Sequence, residues 1–188
     1  MKHCLKTARV VPLFKKNDKT EVGNYRPVSI LSIVSKVLER VVYDQMEEYL
    51  CNKDLLYKYQ SGFRRQFSTE SCLLHLTDYI RFEMDKGNFV GMILLDLQKA
   101  FDTVDHSILS MKLQALGLNE LSVCWFPSYL SDRHQLVHIS GTFSTQGNIT
   151  YGVPQGSILS PLLFLIYVND MSAVVKNKLL LYADDSAI

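Results

Sequence analysis

Three carboxylates could carry chemistry in this chain. Asp184 and Asp185 are adjacent, between the apolar runs Leu179-Leu180-Leu181-Tyr182 and Ser186-Ala187-Ile188. Apolar runs split by two polar residues predict a tight β-hairpin with the aspartates at its tip, although Asp-Asp lacks the glycine such turns favour. Like charges side by side cost electrostatic energy unless a cation neutralises them. The doublet therefore points to a hard divalent ion such as Mg2+. A solvated turn is the plain alternative, because Asp is a common turn residue. The third carboxylate, Asp96, lies near the end of FVGMILLDL, residues 89–97. That run reads as a central strand buried on both faces. An ionised carboxylate there is expensive unless paired or metal-bound; its plain alternative is to cap a following helix. If the two strands are neighbours, three carboxylates converge. Such a set can bridge two divalent ions about 3.5–4 Å apart and support in-line phosphoryl transfer.

These residues need elements to position them. Residues 8–14 are apolar and broken by Pro12, which predicts an edge strand. Lys15 to Thr20 is a polar turn with three lysines, a solvated loop or a phosphate contact. Arg26 precedes Pro27 and is pushed toward an extended conformation. Residues 29–50 have helical periodicity. Ile30, Ile33, Val34, Val37, Leu38 and Val41 form a stripe expected in the core, with Lys36, Glu39 and Arg40 opposite. The cluster Gln60-Ser61-Gly62-Phe63-Arg64-Arg65 could bring guanidinium groups to an oxyanion. Ser68 or Thr69 should cap a second helix that carries Leu73, Leu76 and Ile80 inward and stops near Gly87.

Asp102, Asp105 and His106 could resemble a metal cluster, but turning the chain and capping a helix over 107–116 is the simpler reading. Asn119 should cap a helix that Pro127 kinks or splits. Residues 135–140 and 147–151 read as a hairpin. The loop Gly152-Val153-Pro154-Gln155-Gly156-Ser157 has glycines that allow a ligand close to the backbone. Residues 160–167 read as a buried helix with a Ser cap and Pro in its first turn.

The 188 residues suffice for one domain with a sizeable core. Hydrophobic residues make up 47% and charged residues 21%, an ordinary balance for a globular chain. The net charge of +1 singles out neither nucleic acid nor an acidic partner, so any nucleic-acid contact must come from local clusters. The four cysteines, Cys4, Cys51, Cys72 and Cys124, are far apart, which argues against a disulfide framework or zinc site. The longest apolar run, residues 161–168, is shorter than the about 20 residues a membrane span needs. The N-terminus lacks the apolar segment of a signal peptide. An intracellular protein, in nucleus or cytoplasm and not secreted, is expected.

LLDLQKAFDTVDH, GVPQGSILSPLLFLIYVND and LYADD resemble motifs A, B and C of reverse transcriptases, in that order. NYRPVSILSIVSKVLER and QSGFRRQFST resemble the finger motifs that precede them. The wording is most similar to the polymerases of non-LTR, LINE-like retrotransposons, and the likeness covers almost the whole chain. The resemblance implies an α+β right-hand polymerase fold: fingers over about 1–87 and 106–150, and a palm with an antiparallel sheet over about 88–105 and 151–188. Since the chain stops just after motif C, a fragment without a thumb is expected.

By motif match, Asp96, Asp184 and Asp185 are the implied catalytic carboxylates. Asp96, Asp184, Asp185 and the Leu97 carbonyl would hold two Mg2+ ions, for which Mn2+ could substitute. Phe101 matches the residue under the incoming sugar that disfavours ribonucleotides. Amides near Lys99 and Ala100 would face the triphosphate, Arg64 would clamp it, and Gln155 and Gly156 would lie against nucleotide and template. The implied partners are an RNA template, a DNA primer and dNTPs, with no membrane; oligomeric state is not implied. Competing expectations are an inert element fragment with weak nucleic-acid binding, and another two-metal nucleotidyl transferase or cyclase with a similar palm.

Overall fold

The computed structural model describes residues 5–188; Cys4 lies outside them. In chain order come β1 (Thr7–Phe14), β2 (Tyr25–Ile30), α1 (Ile33–Asn52), α2 (Thr69–Asp85), β3 (Leu94–Asp96), α3 (His106–Ala115) and α4 (Glu120–Leu130). They are followed by β4 (Arg133–Ile139), β5 (Thr142–Phe143), β6 (Gly147–Ile149), α5 (Ser160–Val168), α6 (Met171–Val174), β7 (Leu180–Tyr182) and β8 (Asp185–Ala187).

The larger sheet has the order β2-β1-β4-β5, with β6 also on β4. β1 is therefore interior, not the edge strand its proline predicts. It runs parallel to β4 only from Thr7 to Val10, so Pro12 lies past that ladder. On the other side Pro12 faces Pro27, and neither residue has an N–H to leave unpaired. The smaller sheet is antiparallel, β3-β8-β7.

The helix caps follow local chemistry. Ser68 Oγ accepts from Ser71 N (3.1 Å), Asp105 Oδ1 accepts from Ser107 N (2.8 Å) and Ile108 N (3.0 Å), and Asn119 Oδ1 accepts from Ser122 N (2.8 Å). Helix α4 runs unbroken through Pro127. Ser160 is the first residue of α5, not its cap; Ser157 Oγ accepts from Leu159 N (3.1 Å) and Ser160 N (3.2 Å) instead.

The core gathers around α5, which is apolar all round. Leu109 and Leu113 of α3, Phe126 and Leu130 of α4, and Met46 and Leu50 of α1 pack against Leu162, Phe164 and Leu165. The N-terminal half of α1 reverses the expectation from its periodicity. Its apolar stripe is exposed, Ile33 by 80% and Val37 by 61%. The buried residues of α1 are Ser35, Glu39, Met46 and Leu50. The strand expected over 89–97 is also shorter and more open: β3 spans residues 94–96, Ile93 before it exchanges backbone hydrogen bonds with Ile188 (2.9 Å each), and Leu94 is 69% exposed. Leu73 on α2 is exposed as well.

Glu39 explains which way α1 faces. Its fully buried carboxylate accepts from Tyr129 Oη (3.0 Å), Ser157 Oγ (2.9 Å), Ile158 N (2.9 Å) and Ser35 Oγ (3.3 Å). These bonds replace the water the charge gave up. The Arg133 guanidinium lies over the Tyr129 ring, 4.9 Å from its centroid. Burial, and then the Glu39 charge, push the Tyr129 hydroxyl above its ordinary value.

Because the folded Tyr129 holds its proton more tightly than the unfolded one, its contribution is complete below about pH 10 and is lost as pH rises beyond it. Tyr129→Phe should cost about 1–3 kcal/mol at neutral pH, since Glu39 loses a donor. It should also flatten the decline in stability between about pH 9 and 11 by about 1 kcal/mol. Urea unfolding at both ends of that range checks both statements.

Candidate active site

The small sheet brings the aspartates together. β3 pairs with β8 so that Asp96 lies opposite Asp185, and β7 pairs with β8 so that Tyr182 also faces Asp185. Residues directly opposite on antiparallel strands share a face, with Cβ atoms about 4.5–5.5 Å apart. The expected hairpin is present, but its tip is shifted by one residue. The turn is Ala183-Asp184, and Asp185 begins β8. Two-residue hairpin turns need a positive φ, and here Ala183 takes it at +57°. The Tyr182 hydroxyl accepts from Thr69 Oγ1 (2.7 Å), which ties the hairpin to the start of α2.

Asp96 and Asp184 line one cleft of about 1630 Å³. Asp96 and Asp185 are exposed and Asp184 is partly covered, so the burial expected for Asp96 is absent. Among the described residues no basic side chain pairs with any of the three. Nor do any three His, Cys, Asp or Glu side chains gather into a metal cluster among them.

Leu97, Lys99, Ala100, Phe101, Gln155 and Gly156 all line the same cleft. Lys99 has φ +50°, and its carbonyl accepts from Asp102 N (2.7 Å), so the chain turns sharply behind Asp96. Phe101 stacks on Phe164 at 5.0 Å and meets the edge of Phe63 at 5.9 Å. Gln155 Nε2 donates to Asp102 Oδ1 (3.0 Å), and the Gln155 carbonyl accepts from Ser29 N (2.7 Å).

The loop glycines admit the chain's own backbone rather than a ligand. A Cβ on Gly152 would lie 2.8 Å from the Phe101 and Asp102 backbone, and one on Gly156 would lie 2.4 Å from the Ser29 carbonyl oxygen. Gly156 also has φ +120°.

Asp185 is not part of the cleft lining, and neither is Arg64. Its Nη1 donates to the carbonyls of Tyr57 (3.2 Å) and Gln60 (3.3 Å), and its guanidinium lies 4.5 Å from the Phe67 centroid. The preceding residue, Phe63, takes φ +55° and puts its ring in the cleft, so the chain reverses and Arg64 turns back on its own loop. The cations that line the cleft are Lys15, Lys19, Arg26 and Lys99. Of these, Arg26 was read from sequence only as a residue constrained by its proline. The alternation of Arg26 with buried Ser29 along β2 is visible only once β1 and β2 are paired.

Mixed helices and sheets, with carboxylates at a strand end and on an adjacent hairpin beside a cation-lined cleft, define a polymerase-type fold. Residues 14–188 match the family described as reverse transcriptase (RNA-dependent DNA polymerase), and the chain belongs to that family. It is 33% identical over 181 residues to the probable RNA-directed DNA polymerase from transposon BS of Drosophila melanogaster, covering 88% of this chain and 19% of that protein. It is 32% identical over 195 residues to the RNA-directed DNA polymerase from mobile element jockey of the same species, covering 97% and 21%. The chain thus spans about a fifth of the length of these curated relatives, which agree with the non-LTR resemblance of its motifs. Among solved structures, telomerase from Candida tropicalis in complex with a TWJ fragment of telomeric RNA has a similar fold. Its TM-score is 0.69 at 14% identity, over 97% of this chain and 36% of that one.

Gly156→Ala should cost more than about 2 kcal/mol, because it adds a clash with Ser29 to a backbone conformation that glycine alone adopts readily. A thermal melt within 2 °C of wild type would contradict this packing.

Proposed function

We propose that this chain carries the nucleotidyl-transfer centre of a mobile-element polymerase that copies RNA into DNA. One observation carries the reading. Asp96 and Asp184 line a single cleft whose other wall, from β1, β2 and the loop between them, supplies Lys15, Lys19 and Arg26. Carboxylates on one side and cations on the other suit a substrate that bridges metal and phosphate.

The donor set fits Mg2+. Asp96, Asp184 and the Leu97 carbonyl are hard oxygen donors, and Asp185 adds negative charge opposite Asp96. Mg2+ is ordinarily held by one or two carboxylates, with water and substrate phosphates completing its shell, so a third clustered side chain is not required. Mn2+ accepts the same ligands. Two such ions, when bound, would lower the pKa of a primer hydroxyl and offset charge on the attacking and leaving oxygens.

The rest falls to this chain's own residues. Arg26 has the planar fork that matches phosphate oxygens, and it takes the clamp role expected of Arg64. Lys15 and Lys19 add point charges. Backbone amides near Lys99 and Ala100, in the cleft lining, would face the triphosphate. Phe101, held between Phe63 and Phe164, walls the position of the incoming sugar. Gln155, fixed to Asp102 and in the cleft lining, would lie against nucleotide and template. The small sheet with α5 is assigned to the palm and the β2-β1-β4 sheet to the fingers. An RNA template, a DNA primer and dNTPs are the partners this reading requires.

Primer extension on an RNA template, by a polymerase carrying these 188 residues, tests it. Asp96→Asn should lower Mg2+-dependent incorporation at least about a hundredfold; near-wild-type rates would contradict the assignment. Arg26→Ala should raise the dNTP KM about tenfold while leaving template-primer affinity unchanged. An unchanged dNTP KM would remove Arg26 from the triphosphate site.

A further inference from the structure

Gln60 is 2% exposed, and its side chain reaches the turn that carries Asp184. Its Oε1 accepts from Ala183 N (3.1 Å) and from Gly62 N (2.8 Å), and its Nε2 donates to the Ala183 carbonyl (3.4 Å). One amide thus engages both polar backbone atoms of the residue before Asp184. We propose that Gln60 is a positioning residue that fixes the Ala183-Asp184 turn, and with it the Asp184 carboxylate, at the metal site. The inference rests on the polymerase reading above.

The turn needs outside support. A left-handed conformation at a residue with a Cβ costs about 1–2 kcal/mol, which a glycine would avoid. Ala183 takes that conformation, and β7 and β8 are each only three residues long. The segment containing Gln60 provides the support by continuing the sheet. Ser61 N donates to the Leu181 carbonyl (2.8 Å), and Leu181 N donates to the Tyr59 carbonyl (3.0 Å). Gln60 therefore sits parallel to Leu181, on the side of β7 away from β8.

The approach is close enough to require glycine at the next contact. A Cβ on Gly62 would lie 1.9 Å from Ala183 N. Residue type matters at position 60 too. The Ala183 backbone offers a donor and an acceptor, and a primary amide answers both, whereas a carboxylate or an aliphatic chain does not. The same segment ends at Phe63, whose edge meets Phe101. Residues 60–63 thus link the carboxylate turn to the wall of the nucleotide site, and a shift at one end is carried to the other.

Primer extension by a polymerase carrying these residues, with Mg2+ varied, separates positioning from simple packing. Gln60→Met keeps the volume and removes every bond to Ala183. It should lower kcat about tenfold or more and raise the Mg2+ concentration for half-maximal rate at least about threefold, as about 1 Å of misplacement would; without metal or substrate, it should also speed amide hydrogen exchange at Ala183, whose N–H loses its acceptor, about tenfold or more. Template-primer KM should stay within twofold. Gln60→Asn, one methylene shorter but still an amide, should shift both values in the same direction by less, and it carries the test if Gln60→Met does not fold. Ala183→Gly, which relaxes the turn, should reduce the penalty of Gln60→Met. If Gln60 only packs, the active fraction falls while the Mg2+ half-saturation stays at wild type, and that result overturns the proposal. Wild-type inactivity, or activity in Asp96→Asn, would instead overturn the polymerase reading itself.

Discussion

The site depends on two short strands that hold like charges opposite one another. β3 and β8 put Asp96 across from Asp185, and the β7–β8 turn adds Asp184 one residue away. Like charges directly opposite in a sheet oppose the pairing that brings them together. The described residues supply no cation to any of the three. The ladder that opposes this repulsion is short, three residues on each strand and one further pair of bonds between Ile93 and Ile188. The sheet is held from outside: Leu179, Leu180 and Leu181 are buried, Thr69 fixes Tyr182, and Gln60 binds the turn. On the proposed reading, a divalent ion would offset the repulsion within this carboxylate set.

A second tie sets the opposite wall. Buried Glu39 on α1 accepts hydrogen bonds from α4 through Tyr129 and from the loop before α5 through Ser157 and Ile158. That loop also carries Gln155, bonded to Ser29 on β2 and to Asp102 behind the Asp96 strand. One short loop therefore touches the larger sheet, the turn after β3, and helices α1, α3 and α4. The two glycines in it are explained by these close backbone approaches, without reference to a ligand. Positions of Gln155 and of the cation-bearing β2 are thus coupled through packing inside the chain.

Much of this was legible in sequence where the physics is local. Ser68, Asp105 and Asn119 cap helices because a side-chain oxygen three residues from an unpaired amide is a local fact. The hairpin over 133–149 and the buried α5 follow from alternation and from uniform apolarity in the same way. What failed was long-range. Periodicity places Val34, Val37 and Val41 on one face of α1 but does not say what covers that face; Glu39, read as solvated, is the residue turned inward. The run 89–97 reads as a buried strand, yet only residues 93–96 pair and Asp96 is exposed. The three carboxylates were found through motif order and types. Arg64 was assigned from its position in a motif, and the reversal at Phe63 that takes it out of the cleft has no sequence signature. Lys15, Lys19 and Arg26 line the cleft together with Asp96 and Asp184, which no local pattern in the sequence announces.

On the proposed reading, Asp96 and Asp184 act on one metal-binding site facing the cleft. Crystals of a polymerase carrying these residues, grown with primer, template, a non-reacting dNTP analogue and Mn2+, test it through the anomalous signal of the metal. A peak is expected about 2.0–2.3 Å from a carboxylate oxygen of Asp96 and one of Asp184 together, with analogue phosphate in its shell. Mn2+ bound elsewhere, with Asp96 and Asp184 on no common ion, would contradict it.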